Sequence, residues 1–459
     1  MLTKFWQVLI NLKSKKINFN CYLLLFPIFL SSFYYGGNNN TSLLVSNILL
    51  YTFFLFNIDR FNFNYFKKYK SIFTAQIIFI IYLVFQLIPN FDFVFHLFSN
   101  THLELYEKLL GVNYRSISIN PFVCFQYLIL VFNFLLIFFM VPQIINSKKN
   151  LNVIFQSIIV IGLVHIIFGM FVETFGLYQK LIIYEKNFYI SSLTGFFINR
   201  NNFSFFLLII FIINFYYLGF YKKYFLAQKK TSSQFFQFIS SNLFIYRLSL
   251  IFISVGIILT KSRAGNLSFL IVLCLIFLIE YFKYKKITFN LVLVTSVILL
   301  DLLILSNLLG LSGLIERVAA TTIDGEASRL SVFLIGFKEF LNFPIFGYGY
   351  GGFEVLYRLN HDIYPTFYNH VHNDFIQFLG EFGIVGLSLF SFWIFRIIQN
   401  FKRNFNKNIY ELNMIIILTF LITLIHGSLD FALHIPGNIY LLFFILSLSL
   451  TEIKRSIKN

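Results

Sequence analysis

Charged side chains are scarce in this chain: Asp, Glu, Lys and Arg make up 12% of its 459 residues, about half the share of a soluble domain. That shortage excludes an ordinary water-soluble fold. Cysteine is rarer still. Cys21, Cys124 and Cys274 lie in or beside apolar stretches and form no CxxC pair, which argues against a disulfide framework or a zinc site. They read as small buried apolar side chains. No GxxxxGK[ST] loop occurs, and no GxGxxG in a strand–helix setting, so cytosolic nucleotide chemistry is not expected. Tandem repeats and a soluble second domain are missing too. The start, MLTKFWQVLINLKSKKINFN, has a short apolar patch followed by lysines and lacks a small-residue cleavage site, unlike a signal peptide. It reads as a basic cytoplasmic lead-in.

Apolar side chains are abundant, at 58%. Runs such as SLLVSNILLYTFFLFNI (42–58) and PFVCFQYLILVFNFLLIFFMVP (121–142) are long enough to cross a hydrocarbon layer of about 30 Å. Each must be a helix, because an open strand leaves backbone polar groups unsatisfied in lipid. The sequence therefore predicts an all-α, polytopic integral membrane protein of about twelve spans. These lie near 19–36, 42–58, 71–88, 121–142, 151–174, 203–220, 247–261, 264–282, 288–310, 373–395, 411–427 and 437–452, within a single membrane domain, 1–459. With the N-terminus placed in the cytoplasm, roughly two-thirds of Lys and Arg fall on cytoplasmic connections, as topology favours. The net charge of +17 follows from that bias rather than from nucleic-acid binding. Two outer connections are long, about 89–120 and about 311–372. The second holds ASRLSVFLIGFKEFLNF (327–343), patterned as an amphipathic helix. Pro344 stops it, and the glycine-rich IFGYGYGGF follows. An outer loop with its own helix is usually functional.

Three polar elements fall at outer span ends and a fourth begins the amphipathic loop helix. The first is HVHNDFIQFLGEFGIVG (370–386). A helix starting near His372 would carry Gly383 and Gly386 on the same face, within about 20–40° of the histidine, and those glycines would admit a close neighbour. His370, His372, Asp374 and His361 could be read as metal ligands, but residues 372 and 374 would diverge by about 200° on a helix, and the spacing is not a familiar zinc pattern. The second is LTKSRAGNLS (259–268), with Arg263 between two spans; it suits either an arginine snorkelling to the interface or a guanidinium gripping phosphate. The third is TGFFINRNNF (194–203), where Arg200 stands between Asn199 and Asn201, either as part of a polar helix start or as a second anion-facing arginine at a helix N-terminus. The fourth is Arg329, near Asp324 and Glu326, a local ion pair in its plainer reading.

His372-Asn373, nine residues, then Gly383-x-x-Gly386 matches the H[NSQ]x9GxxG signature of bacterial O-antigen ligases. KSRAG, FINRNNF and RLSVFLIGFKEFLNFPIFGYGYGGF also resemble the wider ligase and polymerase superfamily, most strongly over 190–390. The resemblance implies a periplasmic-side membrane glycosyltransferase that takes a glycan from undecaprenyl diphosphate. Ligases pass it to lipid A–core, polymerases to a second lipid-linked glycan, and related enzymes to protein hydroxyls. It implies no metal or nucleotide cofactor. By analogy His372 acts as base on the acceptor hydroxyl, Arg200 and Arg263 hold the diphosphate, and Arg329, Asn373 and Asn199 line the substrate site. The enzyme would sit in the bacterial inner membrane. Cations can stabilise the departing diphosphate electrostatically, and an imidazole can take a proton at neutral pH. A flippase of lipid-linked oligosaccharide is the alternative; it would line a central cavity with charge, whereas the arginines here gather at span ends. Ligation and polymerisation both stay open.

Overall fold

A computed structural model describes residues 20–88, 116–178, 185–224, 242–285, 329–360, 368–405 and 409–453, together with 292 and 296. Among the described residues the chain is helical and has no strand. In order, the main helices are α1 (Asn20–Phe33), α2 (Asn40–Phe56), α3 (Lys70–Leu87), α4 (Pro121–Ile144), α5 (Lys148–Phe175), α6 (Arg200–Tyr224), α7 (Asn242–Leu259), α8 (Arg263–Tyr284), α9 (Arg329–Asn342), α10 (Gly352–Asn360), α11 (Asp374–Asn404), α12 (Tyr410–Gly427) and α13 (Pro436–Ser447). Seven of them (α3, α4, α5, α6, α8, α11 and α12) are long and apolar enough to cross a membrane, whereas α1, α2, α7 and α13 are apolar but shorter. Each expected span coincides with one of these helices except the ninth, 288–310, of which only 292 and 296 are among the described residues. Cys274 corrects the reading of all three cysteines as buried: Cys21 and Cys124 are buried, but Cys274 faces outward from α8.

Helix starts follow local chemistry. Asn39, Asn120, Ser147, Ser262 and Asn373 each accept a backbone N–H with the side-chain oxygen, satisfying donors that a first turn leaves open. Pro121 and Pro436 occupy first-turn positions, where a missing N–H costs nothing. The seventh and eighth spans are joined by the expected tight turn, Thr260–Ser262, with Lys261 at φ 52°.

α6 is the axis of the bundle. Every residue from Phe203 to Ile213 is fully buried, and α5, α7, α8, α12 and α13 pack around it. Three glycines let helices close in here: a Cβ at Gly162 would meet Ile210, at Gly256 first Ile166 of α5 and then Leu207, and at Gly265 the Ser204 hydroxyl. Lipid gives helices no hydrophobic reason to associate, so such close packing is what holds them.

The expected amphipathic helix is present as α9, followed by the glycine-rich turn and by α10, which the sequence reading did not foresee. These elements close over a second small core of Val332, Phe343, Tyr348, Phe353, Leu356 and Val371.

α11 corrects the helical-face argument. His372 is not in the helix: it has φ 58° and precedes the cap residue Asn373. Nor is the helix continuous, because Gly383 breaks it with φ 62° and ψ −174°. The glycine-rich turn docks into that break. Tyr348 and Gly349 donate backbone N–H bonds to the carbonyls of Gly380 and Glu381, both at 3.0 Å, and Ile384 and Val385 donate to Pro344 and Ile345 at 2.9 and 3.1 Å. Tyr82 on α3 donates to the Phe346 and Phe382 carbonyls at 2.7 and 2.6 Å. A Cβ on Gly383 would stand 2.4 Å from the Ile345 carbonyl, and one on Gly386 would stand 2.2 Å from the Tyr82 ring. The signature glycines therefore serve turn docking rather than a smooth face beneath the histidine. We expect Gly383→Ala to lower stability by about 1–3 kcal/mol from its backbone conformation alone, with further loss from the clash, read as a drop in melting temperature in detergent.

Candidate active site

At one end of the bundle the starts of α6, α8 and α11 meet the connection between α12 and α13. His372 stands there because the chain turns sharply into α11. Its Nδ1 lies 3.2 Å from Asp430 Oδ1, with the histidine side chain 15% exposed and the aspartate fully buried. Asp430 also accepts a bond from the Asn201 side-chain amide through Oδ2 and from the Phe431 N–H at 2.9 Å. Asn201 in turn accepts from the Ser262 hydroxyl at 2.7 Å, and Ser262 caps α8 by accepting the Gly265 N–H at 2.9 Å. One hydrogen-bonded chain thus runs His372–Asp430–Asn201–Ser262. It joins four stretches that the sequence keeps far apart.

A carboxylate facing Nδ1 fixes the imidazole: Nδ1 carries the proton and donates, leaving the lone pair on Nε2. The ring is held edge-on to Phe431, with centroids 4.9 Å apart, and to Tyr368 at 5.7 Å. A partly exposed imidazole with an oriented lone pair, backed by a buried carboxylate, can act as a base towards a hydroxyl.

A second ionic cluster lies behind the first. His434 ends a short 3-10 turn, Ala432–His434. Its Nδ1 is 2.7 Å from Asp374 Oδ1 and its Nε2 is 3.1 Å from Glu381 Oε2. Asp374 Oδ2 further accepts the Leu433 N–H at 3.0 Å. Glu381 Oε1 accepts the Gly351 N–H at 3.1 Å and the Gln377 amide at 2.9 Å. Burial opposes the imidazolium, yet the charge of Glu381 and the bonds to Asp374 and Glu381 outweigh it and hold His434 up at about 9. Tyr350, from the glycine-rich turn, stacks on its ring at 5.3 Å. An apolar cavity of about 260 Å³ lies alongside, lined by Phe375 and Phe378 of α11, Leu433 of the 3-10 turn, Tyr127 of α4 and residues of α12 and α13.

The expected site residues divide into two groups. His372 and the residues adjoining Arg200 and Arg263 are brought together. Arg263, the first residue of α8, is exposed. Arg200, the first of α6, donates to the Ser192 hydroxyl at 3.3 Å and lies over the Tyr189 ring at 5.2 Å. Asn199 and Asn373 are occupied as helix caps: Asn199 accepts the Asn201 N–H at 2.8 Å, and Asn373 accepts the Phe375 and Ile376 N–H groups while donating to the Ser428 carbonyl at 3.1 Å. Arg329 begins α9, but its side chain lies outside the described residues, as do His361, Asp324 and Glu326. His370, His372 and Asp374 take different partners: Gln377, Asp430 and His434 respectively. No group of three or more His, Cys, Asp or Glu among the described residues is arranged to hold a metal ion.

Residues 248–391 match the family model described as O-Antigen ligase. That match supports membership of the O-antigen ligase superfamily. No curated protein matches it. The matched segment runs from α7 to the middle of α11, so it contains Ser262, Arg263, His372 and both signature glycines. For this O-antigen ligase relative the family match supports glycan transfer of ligase or polymerase type in polysaccharide biosynthesis, and it implies lipid-linked glycan substrates in general.

Asn201 and Asp430, which link the motifs, lie outside the matched segment. The sequence reading passed over Asp430, His434 and Ser262. Their signal is modest: HGSLDFALHIPGN (426–438) places an acid and two histidines between apolar runs. Nothing in the spacing says that this connection folds onto a residue about sixty positions earlier.

Proposed function

We propose that the protein transfers a glycan from undecaprenyl diphosphate to a hydroxyl acceptor, either lipid A–core or a second lipid-linked glycan, on the periplasmic side of a bacterial inner membrane. The observation that carries this reading is the His372–Asp430–Asn201–Ser262 chain. It sets a base beside the residues that adjoin Arg200 and Arg263.

His372 Nε2 takes the proton of the acceptor hydroxyl as its oxygen attacks the anomeric carbon. Asp430 holds the ring in that tautomer and stabilises the imidazolium that forms. The bond from the anomeric carbon to the diphosphate oxygen breaks, and the electron pair leaves with undecaprenyl diphosphate. Arg263 and Arg200 bind the growing negative charge, for which forked guanidinium donors are well matched. A single displacement inverts the sugar. The apolar cavity beside α11–α13 offers the isoprenoid chain a surface outside water.

The test is a defined transfer reaction. Purified protein is incubated with an undecaprenyl-diphosphate-linked oligosaccharide, with and without lipid A–core, and products are read by mass. Glycan on lipid A–core is the outcome for a ligase, and longer lipid-linked chains without that acceptor the outcome for a polymerase. Failure of folded protein to transfer under either condition would sink the reading and favour a flippase, which moves the same donor unaltered.

A further inference from the structure

His370 sits two residues before His372, and transfer as proposed above does not use it. Its ring stacks on Phe431 at 4.2 Å and 17°, and His372 meets the same phenylalanine edge-on. Both imidazoles therefore contact one phenylalanine ring.

The protonation of His370 is set by Gln377. The Gln377 carbonyl oxygen accepts the Val371 N–H at 3.1 Å, and its amide nitrogen lies 2.9 Å from Glu381 Oε1. A backbone N–H can only donate and a carboxylate can only accept, so the amide has one possible orientation. That same nitrogen lies 3.2 Å from His370 Nδ1. Nδ1 must then accept, and the proton of the neutral ring is on Nε2.

We infer that His370 is a second substrate-contacting residue of the transfer site, a neutral imidazole fixed as an Nε2–H donor to an oxygen of the acceptor sugar, next to His372 fixed in the opposite tautomer as base. The two rings have different partners at Nδ1 and so opposite roles at Nε2. Asp430 makes one a lone-pair bearer, and Gln377 makes the other a proton bearer. Together they read an acceptor at two points: the attacking hydroxyl at His372 and a neighbouring oxygen at His370. A charged His370 would set Nδ1–H against an amide N–H. Burial holds its pKa well below the ordinary histidine value, and His434 and His372 push the same way, against smaller opposing effects of Gln377 and Asp430. Its donor role therefore does not switch across the physiological range.

This inference rests on the proposed transfer reaction for its substrate, but its core is testable without one. Protein labelled with ¹⁵N-histidine is measured in lipid by solid-state NMR from pH 5 to 8, with His370 assigned by its loss in H370Q. The expected result is a neutral Nε2–H ring throughout. A ring that titrates in that range, or one protonated on Nδ1, would overturn the assignment even if transfer had failed. In the transfer assay, H370F keeps the stacking on Phe431 but loses the donor, and its kcat/KM should fall about tenfold, as for one hydrogen bond. H370Q keeps a donor and should lie closer to wild type, with an unchanged pH profile. Wild-type kcat/KM in folded H370F would refute the donor role, as would an H370Q defect as deep as that of H372N.

Discussion

Replacing His372 by asparagine should lower transfer by about two to four orders of magnitude, the usual contribution of a positioned general base. The choice of replacement matters. His372 has φ 58°, a left-handed conformation that costs an ordinary residue roughly 1–2 kcal/mol and that asparagine tolerates best. His372→Ala combines loss of the base with backbone strain, whereas His372→Asn isolates the chemistry. Asp430→Asn should reduce kcat with little effect on donor KM. It removes the carboxylate that orients the ring and accepts from both Asn201 and Phe431. Rates measured beside melting temperatures decide the matter. If H372N folds like wild type and transfers at the wild-type rate, the base lies elsewhere.

The second large effect concerns His434. Replacing it by phenylalanine should destabilise the protein by about 3–5 kcal/mol, because breaking a buried ion pair leaves charge uncompensated. Here two carboxylates, Asp374 and Glu381, would face each other without their cation. The same cluster predicts a pH dependence. The folded-state pKa of about 9 lies above the ordinary value of 6.5, so its stabilisation is fully present below pH 6.5 and is lost as pH rises through 9. A shift of that size corresponds to about 3 kcal/mol. Melting temperatures in detergent should therefore fall between pH 7 and 10 for wild type, and the slope should flatten in H434F. A melting curve for H434F that matches wild type at neutral pH would show that the cluster does not support the fold. Activity should be lost with stability, since the turn bearing His434 also bears Asp430 and Phe431.

The histidine lies at the meeting point of a mostly apolar bundle and a small polar cluster, and these two parts were not equally readable. Membrane-spanning helices follow from local composition, because an apolar run in lipid has little choice but to become a helix. The Thr260–Ser262 turn, the stop at Pro344 and the amphipathic α9 are local too, and the structure contains all three. The H[NSQ]x9GxxG signature singled out His372, which the structure sets against the buried Asp430, but the sequence misplaced the reason for its glycines. Helical periodicity assumes an unbroken helix, and Gly383 breaks it so that a turn from about forty residues earlier can dock. Polar side chains at span ends such as Asn199 and Asn373 can be ligands or caps, and only the positions of neighbouring N–H groups show that both cap a helix.

Sequence by itself determined that this is a helical membrane protein with a histidine at a helix entrance, because hydrophobic length, turn residues and short motifs act over a few neighbouring positions. Tertiary structure alone decided what that histidine can do. Its tautomer depends on Asp430, that of His370 on Gln377, and the charge of His434 on Asp374 and Glu381. Each is a contact of about 3 Å, and the direction of a hydrogen bond is a property of two groups in space, which one-dimensional spacing does not encode.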